Sequence, residues 1–441
     1  MITTKYVRDH AEEMRKSLKD RNSKFKLDEL LELDERWRAL RTESQELQAT
    51  RNKASLEISS AKKNGEDVEK KIMKLGDLKK KLEGMESEMS AVESEISSMV
   101  WNIPNVLDVS VPIGMPPEAN KTVKTWGTIK KKDGPNHADI LTKLGLLDEE
   151  RAAKTAGSRF FYLRGDLALL EHALTRYTID KMYGKGYTLI SPPYMLRKKY
   201  YRGVAPLGIF EDALYRVSEA KEAEAVTGFE HLDDELFMIS TAEHIIAAMH
   251  AEETFSGAEL PLKYVGFSPS FRREAGSHGK DTKGIFRVHQ FNKIEQFIFC
   301  RQEDEQKYFD EMLANSEEIM QDLKLPYRLV ILCSGDTGHQ MSKTVDWEAY
   351  FPGQGDYREL GSCSTAREWQ SVRLDIKYDE KGERRYVYTL NSTAVSVQRT
   401  LACIIENYVT DKGTVKVPDA LLPYMNGIYE IRKPADRKTK R

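Results

Sequence analysis

The stretch FRREAGSHGKDTKGIFRVHQFNKIEQF, residues 271–297, decides the fold. It predicts a β-hairpin with charged side chains near the connection between its two strands. Apolar and polar residues alternate along 293–299, which is typical of a strand. Gly276, Gly279 and Gly284 suit a long, mobile connection. The two flanks of the stretch are therefore expected to be antiparallel neighbours in a sheet.

Three side chains of this hairpin have the chemistry of a nucleotide site. The Arg272 guanidinium can hold phosphate oxygens bidentately. The Glu274 carboxylate can accept a hydrogen bond from an adenine amino group, and the Phe291 ring can stack on a base. The same residues also fit an ordinary surface hairpin with salt bridges. This alternative stays open because isolated motifs match by chance.

Taken whole, the string resembles motif 2 of the class II aminoacyl-tRNA synthetases, in the form FRxEaGs…D(T/S)xGixRvHQFxKvE that is typical of seryl-tRNA synthetases. The resemblance implies that Arg272 is catalytic and holds the α-phosphate of ATP. It also implies that Glu274 and Phe291 bind adenine and that Arg273 and Val288 contact ATP.

The composition of the 441-residue chain fits a soluble protein of roughly two or three domains. Lys and Arg number 68 against 70 Asp and Glu, so any surface that binds nucleic acid must be local. Four widely spaced cysteines without a CxxC pair argue against structural zinc and for a reducing compartment. No apolar run reaches ~18 residues and residues 1–20 are too polar for a signal peptide, so we expect a cytoplasmic protein that has no membrane partner.

Residues 30–99 carry two seams of apolar or tolerated residues in alternating steps of three and four, the heptad pattern of a coiled coil. A turn signal at 63–67 separates them. Two helices of roughly 35 residues would form an antiparallel hairpin on the order of 50 Å long. The first seam consists of Leu33, Trp37, Leu40, Ser44, Leu47, Arg51, Ala54, Ile58 and Ala61. The second consists of Leu75, Leu78, Leu82, Met85, Met89, Val92, Ile96 and Met99.

The turn of this hairpin is positively charged, with eight Lys against four Asp or Glu at 62–81. Such a surface could lie against a phosphate backbone, although lysines commonly do no more than solvate a coiled coil. The seryl-tRNA synthetases resemble this chain at their N-termini, where a helical hairpin embraces the long variable arm of tRNA(Ser). The resemblance therefore implies an arm that recognises the shape of its RNA.

Prolines and glycine at 104–117 indicate a linker and set the expected domain boundaries. We expect an arm at 1–103 that binds tRNA, a linker at 104–120 and a class II catalytic domain at 121–431. The tail at 432–441 has six basic residues and one acidic residue and is expected to be disordered.

A helix predicted to begin with Asp166 as its N-cap and to end near Gly184, followed by a short strand at 188–193, resembles motif 1. An ordinary helix–strand unit has the same pattern. In the family, motif 1 forms the dimer interface. The resemblance therefore implies an α+β fold, with a class II antiparallel sheet flanked by helices, an N-terminal antiparallel α-helical coiled-coil arm and a homodimer formed through the catalytic domain.

The segment MISTAEH at 238–244 is similar to the family's TAE element, whose Thr and Glu line the amino-acid pocket. Thr241 and Glu243 also fit the start of an ordinary capped helix near His244, and His244 itself is expected to be structural. The serine-binding residues that the resemblance implies are Thr241, Ala242, Glu243, Arg272, Glu295 and Thr393.

Two further segments resemble family motifs. YRELGSCS at 357–364 resembles the pattern E-(L/I/V)-(S/G)-S, whose Glu and last Ser hold the Mg²⁺ that bridges the ATP phosphates, and carboxylate and hydroxyl oxygens suit that cation. TLNSTAVSVQRTLACIIENY at 389–408 resembles motif 3, a strand running into a helix, and implies a catalytic Arg399 at the γ-phosphate. The residues that these segments add to the ATP site are Glu359, Leu360, Gly361, Ser362 and Arg399, with Glu359 and Ser362 on the metal.

The reaction implied by the resemblance begins with attack of the serine carboxylate on the α-phosphorus of ATP and ends with seryl transfer to tRNA(Ser), with tRNA(Sec) left open. Catalysis of this kind is mostly positioning and charge stabilisation. One alternative is a paralogue that loads a carrier protein, against which the N-terminal arm argues. Another is a non-catalytic coiled-coil scaffold, against which the presence of Arg272, Glu274, Glu359 and Arg399 argues.

Overall fold

The structure is a computed structural model that describes residues 4–65, 67–129, 133–206, 211–218, 235–274 and 283–433. Contacts within the chain divide it after Pro104 into two compact units, an N-terminal unit at 2–104 and a C-terminal unit at 105–441. Each is described by itself below.

The N-terminal unit is helical. Its helices are α1 (Thr4–Asp9), α2 (Ala11–Asp20), α3 (Leu27–Lys63) and α4 (Glu69–Trp101). Two ion pairs cross between the long helices: Arg36 to Glu88 at 2.6 Å and Lys81 to Glu43 at 2.7 Å. A step of seven residues forward along α3 is thus matched by seven residues backward along α4, so the two helices are antiparallel and the predicted helical hairpin is confirmed.

The predicted seams supply the buried stripes of α3 and α4. Leu82, Met85 and Val92 share one face of α4 and are buried. On α3, Ser44 is buried although it is polar, whereas Arg51 is exposed. The seam therefore accepts a small hydroxyl between the helices and leaves a long charged side chain in water, because desolvating an unpaired charge is costly.

The strands and remaining helices belong to the C-terminal unit. Its strands are β1 (Lys121–Trp126), β2 (Leu147–Asp148), β3 (Tyr162–Leu163), β4 (Thr188–Ile190), β5 (Met195–Arg197), β6 (Arg216–Val217), β7 (Leu236–Met238), β8 (Thr254–Ser256), β9 (Leu262–Phe271), β10 (Gln290–Cys300), β11 (Tyr327–Ile331), β12 (Lys343–Phe351), β13 (Asp356–Arg367), β14 (Lys377–Glu380), β15 (Glu383–Tyr386), β16 (Tyr388–Ser396), β17 (Val415–Lys416) and β18 (Glu430–Ile431). Its helices are α5 (His137–Leu144), α6 (Glu149–Ala156), α7 (Asp166–Gly184), α8 (Lys198–Val204), α9 (Ala242–Met249), α10 (Glu305–Asp322), α11 (Trp369–Arg373) and α12 (Val397–Tyr408).

Eight strands form one sheet in the order β1-β11-β12-β13-β16-β10-β9-β4. Every neighbouring pair is antiparallel except β4 and β9, which are parallel. The strands β9 and β10 pair from Phe271 with Gln290 to Leu262 with Phe299, so the flanks of the decisive stretch are the antiparallel neighbours that alternation predicted. The predicted antiparallel sheet is confirmed.

Both faces of β10 are covered, which explains why almost all of this strand is buried. Ile294 and Ile298 join the core formed with α7, α10 and α12, whereas Phe297 and Phe299 join a second core that includes residues of α8 and α9. Since side chains alternate across a strand, the residues that precede Phe297 on its face are directed toward the second core. This arrangement sets the position of the candidate site.

Several local expectations differ from the structure. The N-cap of α7 is Gly165 and Asp166 is the first helical residue. The helix expected near His244 begins at Ala242, because the Thr241 side chain accepts a hydrogen bond from the Glu243 N–H and caps it. Gly276 and Gly279 of the predicted loop, and all but the first two residues of the predicted tail, lie outside the described residues.

All four cysteines are free and buried: Cys300, Cys333, Cys363 and Cys403. Burial raises the pKa of the Cys363 thiol to about 12 and raises the pKa values of the Cys300 and Cys403 thiols as well. Over the part of the chain that the structure describes, no helix is both long and apolar enough to cross a membrane.

Candidate active site

A cavity of about 280 Å³ opens on the face of β10 that carries Phe291, Lys293 and Glu295. The residue that follows β9, residues of β12, β13 and β16, the segment before β12 and the N-terminal ends of α9 and α12 complete its wall. The predicted site residues that line it are Thr241, Glu243, Arg272, Phe291, Glu295, Glu359, Leu360, Gly361, Ser362, Thr393 and Arg399. Segments more than 150 residues apart in the chain thus contribute to one cavity.

Two arginines converge in this cavity. The Arg272 guanidinium lies 5.2 Å from the Phe291 ring centre, and its Nε has no hydrogen-bond partner among the described residues. The Arg399 Nη1 lies 3.1 Å from the Glu359 carboxylate, and its guanidinium stacks at 5.1 Å on the Phe286 ring. Burial and the positive charge of Arg399 lower the pKa of Arg272. An anion bound between them would relieve this repulsion.

Oxygen ligands gather beside the arginines. Asp346 lies opposite Ser362 in the register of β12 and β13, and the Ser362 hydroxyl donates a hydrogen bond to its carboxylate. Burial and the neighbouring Glu359 raise the pKa of Asp346 well above its usual value, whereas Arg399 lowers the pKa of Glu359. The buried Asp346 Oδ1 has no hydrogen-bond partner among the described residues. Two carboxylates and a hydroxyl fit Mg²⁺, which binds proteins through few carboxylates and takes further ligands from substrate phosphates.

A second group of polar residues lies deeper, around Glu243 and Glu295. Thr241 donates a hydrogen bond to the Glu295 carboxylate, and Thr393 is the cross-strand partner of Glu295. Burial, together with the negative charge of Glu295, raises the pKa of Glu243 to about 7. The Gln370 amide donates to Glu243 Oε1 at 2.9 Å. Buried carboxylates beside hydroxyl groups are suited to bind the ammonium and the hydroxyl of one small ligand.

Sequence reasoning missed Lys293, which lines the cavity, and two residues that contact its lining, Asp346 and Gln370. Lys293 forms an ion pair with Glu295 and is nearly buried. Its place in the alternation, between Phe291 and Glu295 on one face, was the signal that could have found it. Asp346 and Gln370 gave no local signal, since Asp346 meets Ser362 across two strands and Gln370 meets Glu243 across two helices that are distant in the sequence.

His244 also lines the cavity but its contacts are structural. Its Nδ1 lies 2.8 Å from the Tyr201 hydroxyl, and burial lowers its pKa to about 3. The imidazole is therefore neutral at physiological pH and serves as a hydrogen-bonding core residue, which is consistent with its expected role.

Gly361 lies where any side chain would collide. A Cβ there would be 2.5 Å from the Trp347 ring and 2.7 Å from Thr393 Cβ. Real Cβ atoms do not approach this closely, so the buried Trp347 explains why this chain has glycine at the third position of the pattern E-(L/I/V)-(S/G)-S.

Four predicted site residues do not line the described cavity. The Glu274 carboxylate pairs with Arg287 Nε at 2.6 Å, and Glu274 has left-handed backbone geometry with φ 46°. Arg273 is exposed, with its N–H bonded to Ala213, while Val288 and Ala242 are buried. The intervening residues 275–282 lie outside the described part of the chain, so the roles of these four residues stay predictions.

Comparison with known proteins agrees with this geometry. Residues 219–408 match the tRNA synthetase class II core domain (G, H, P, S and T), and residues 1–107 match the seryl-tRNA synthetase N-terminal domain. The serine–tRNA ligase of Thermococcus sibiricus is 40% identical, over 100% of this chain and 99% of that protein. Seryl-tRNA synthetase from Pyrococcus horikoshii, solved with ATP, superposes with a TM-score of 0.91 at 38% identity, over 98% of this chain and 100% of that chain. The cytoplasmic serine–tRNA ligase of Naegleria fowleri, solved with AMP, has a TM-score of 0.84 at 35% identity, with 96% of each chain covered.

Proposed function

The chain belongs to the seryl-tRNA synthetase family, and from this premise we propose how its residues carry the ATP-dependent ligation of serine to tRNA. The serine carboxylate attacks the α-phosphorus of ATP, giving seryl-adenylate and pyrophosphate. The seryl group then passes to the 3′ end of tRNA(Ser). A second acceptor, tRNA(Sec), stays a prediction from the sequence.

Arg272 holds the α-phosphate and Arg399 the γ-phosphate in this proposal. The support is their convergence in one cavity, where the two guanidiniums repel each other until an anion is bound. As the α-phosphorus is attacked, negative charge grows on its oxygens, and a fixed guanidinium stabilises that charge. Phe291 stacks on adenine, since its ring borders the cavity beside Arg272. Glu274, Arg273 and Val288 remain candidate ATP contacts.

Glu359 and Ser362 would hold Mg²⁺, with Asp346 as their buried neighbour. When bound, the cation neutralises phosphate charge and favours departure of pyrophosphate. No side-chain nucleophile is required, because the serine carboxylate itself attacks. The contribution of this chain is therefore to bring the carboxylate and the phosphorus together.

Selection of serine rests on Glu243, Glu295 and the two threonines. We assign the ammonium of serine to the carboxylates and its hydroxyl to Glu295 and Thr393. Lys293 is the cation paired with Glu295 in the structure, and it lines the same cavity. Alanine would leave buried polar groups unpaired, so a pocket of this kind discriminates strongly against it.

The arm at 1–103 would bind tRNA(Ser), with 104–120 as a linker, 121–431 as the catalytic domain and 432–441 as a basic tail. Support comes from the antiparallel helices α3 and α4 and from the exposed lysines near their turn. A homodimer formed through the catalytic domain and a cytoplasmic location complete the proposal.

The observation that carries the proposal is the meeting of Arg272, Arg399 and Glu359 in one cavity with the polar pocket around Glu243. The test is serine-dependent exchange of pyrophosphate into ATP, with threonine and alanine as controls, followed by charging of tRNA(Ser). Exchange that requires serine and charging that requires the arm are expected. Absence of exchange would favour the scaffold alternative, and exchange without tRNA charging would favour the carrier-protein alternative.

A further inference from the structure

Three side chains from distant parts of the C-terminal unit meet behind the adenine end of the cavity. Glu171 of α7 accepts hydrogen bonds from Asn292 Nδ2 at 2.8 Å and from Gln398 Nε2 at 2.7 Å, both at its Oε1. Gln398 Oε1 in turn accepts the backbone N–H of Asn292 at 2.6 Å. We call Glu171, Asn292 and Gln398 the clamp. It is a closed ring, because each member is bonded to the other two.

The clamp members are the chain neighbours of two proposed ATP ligands. Asn292 follows Phe291 on β10, and Gln398 precedes Arg399 on α12. The clamp also borders a second cavity, of about 370 Å³. Phe291 lines both this second cavity and the active-site cavity. Through the Glu171 carboxylate, helix α7 is therefore bonded to the chain neighbours of both Phe291 and Arg399.

Hydrogen-bond chemistry fixes the direction of every bond in this ring. A backbone N–H can only donate, so the Gln398 carbonyl oxygen must accept from Asn292, and its amide nitrogen must face Glu171. An ionised Glu171 can only accept, and its oxygens offer enough lone pairs for both amide donors. The orientation of Gln398, which is buried, is therefore set by the strand on one side and by α7 on the other.

We propose that Glu171 is a positioning residue for ATP, holding Phe291 and Arg399 at a fixed separation by bonding the residues next to each. This inference rests on the proposed function for the identity of the ligand. The clamp has no bond to Thr241, Glu243, Glu295 or Thr393 in the described structure. Disturbing it should thus weaken ATP binding and leave serine binding unchanged, a split that general destabilisation would not give.

The test exploits the equal size of Glu and Gln. Gln398→Glu places a carboxylate against Glu171 and removes a donor, so the KM for ATP should rise about tenfold, within the range of coupling inside one hydrogen-bond network. Glu171→Gln keeps an acceptor oxygen and should have a smaller effect. The double variant Glu171→Gln/Gln398→Glu restores a donor opposite an acceptor and should recover most of the lost ATP affinity. Asp180→Asn, an isosteric charge loss farther along α7, is the matched control and should leave both KM values unchanged.

Pyrophosphate exchange would be measured against ATP and serine separately, with a melting temperature for each variant. Recovery in the double variant with an unchanged serine KM supports the clamp. If Gln398→Glu raises the two KM values equally, or if the double variant is as impaired as Gln398→Glu, the inference is wrong. Failure of the unaltered protein to exchange pyrophosphate would instead overturn the proposed function, and the two failures are thereby distinguished.

Discussion

The arm and the active-site cavity differ in the sequence separation of the residues that they bring together. Along the arm, Arg36 meets Glu88 and Glu43 meets Lys81, and the buried residues follow a repeating spacing. In the site, Thr241 and Arg399 share one cavity although 158 residues separate them. The arm exposes most of its surface, whereas β16 is buried along nearly its whole length.

Because the two regions are built so differently, we expect them to carry separable steps of the proposed reaction. On the proposed assignment, activation of serine needs only the groups of the cavity, and transfer to tRNA needs the cavity together with the RNA-binding surface proposed for the arm. Substitutions in the cavity should impair both steps, and substitutions on the arm only the second. The following predictions test that separation, from the largest expected effect to the smallest.

Arg272→Ala should reduce kcat/KM for pyrophosphate exchange by about 10²–10³-fold, the usual consequence of removing one group that stabilises transition-state charge. The melting temperature should change little, because Arg272 Nε has no hydrogen-bond partner among the described residues. Arg384→Ala, which removes an exposed arginine of β15, serves as the control. A loss below tenfold would contradict the proposed role of Arg272.

Replacing Lys70, Lys74 and Lys80 of α4 by Ala should raise the KM for tRNA about 10–100-fold at moderate salt and flatten its dependence on salt. Serine-dependent pyrophosphate exchange should stay unchanged, since these exposed lysines belong to the arm. The control removes the same number of charges elsewhere in the N-terminal unit, at Lys16, Lys19 and Lys24. Equal effects of the two triple variants would show that total charge, and not the turn of the arm, attracts the RNA.

One substitution, glycine to alanine, should have opposite effects in the two regions. Gly84 lies in the interior of α4 with open space around the position of a Cβ, so Gly84→Ala should stabilise the arm by about 1 kcal/mol. Gly361→Ala should destabilise the C-terminal unit by about 1–3 kcal/mol and raise the KM for serine, because Trp347 and Thr393 must move. Denaturant unfolding of both variants checks this. A stabilising effect of Gly361→Ala would contradict this prediction and would mean that the Trp347 ring can move aside at little cost in free energy.

The KM for serine should depend on pH through Glu243. Because the pKa of this carboxyl is raised to about 7, it is largely protonated below that value and must lose its proton to receive an ammonium. The KM should therefore fall as pH rises and be about tenfold higher at pH 6 than at pH 8. Glu243→Gln should abolish that dependence along with tight binding, and the KM for ATP in the unaltered protein should lack it.

The arm could be predicted from the sequence because its helices depend on local spacing, which a heptad pattern records directly. The hairpin of β9 and β10 was predicted for a similar reason, since the alternation along 293–299 and the glycines of the connection are local signals. The order of the eight strands could not be predicted, and neither could Asp346, which is 16 residues from Ser362 yet its cross-strand partner. Such a relation depends on register, and no pattern within either strand encodes it.

Glu274 illustrates a different limit. It is two residues from Arg272, so strand alternation would place both side chains on one face. However, β9 ends at Phe271, and Glu274 has a left-handed backbone and pairs with Arg287. The resemblance supplied the residue, but its geometry depends on where the strand stops.

The burial of all four cysteines makes the protein convenient for spectroscopy. Thiol reagents attack exposed thiolates, so buried sulfurs react slowly, and the raised pKa values of the Cys300, Cys363 and Cys403 thiols slow those three further. A cysteine introduced at the exposed Ser55 of α3 should therefore be labelled by a maleimide dye ahead of the native ones. Fluorescence from that single dye could then follow the arm as it engages RNA, without removal of any native sulfur.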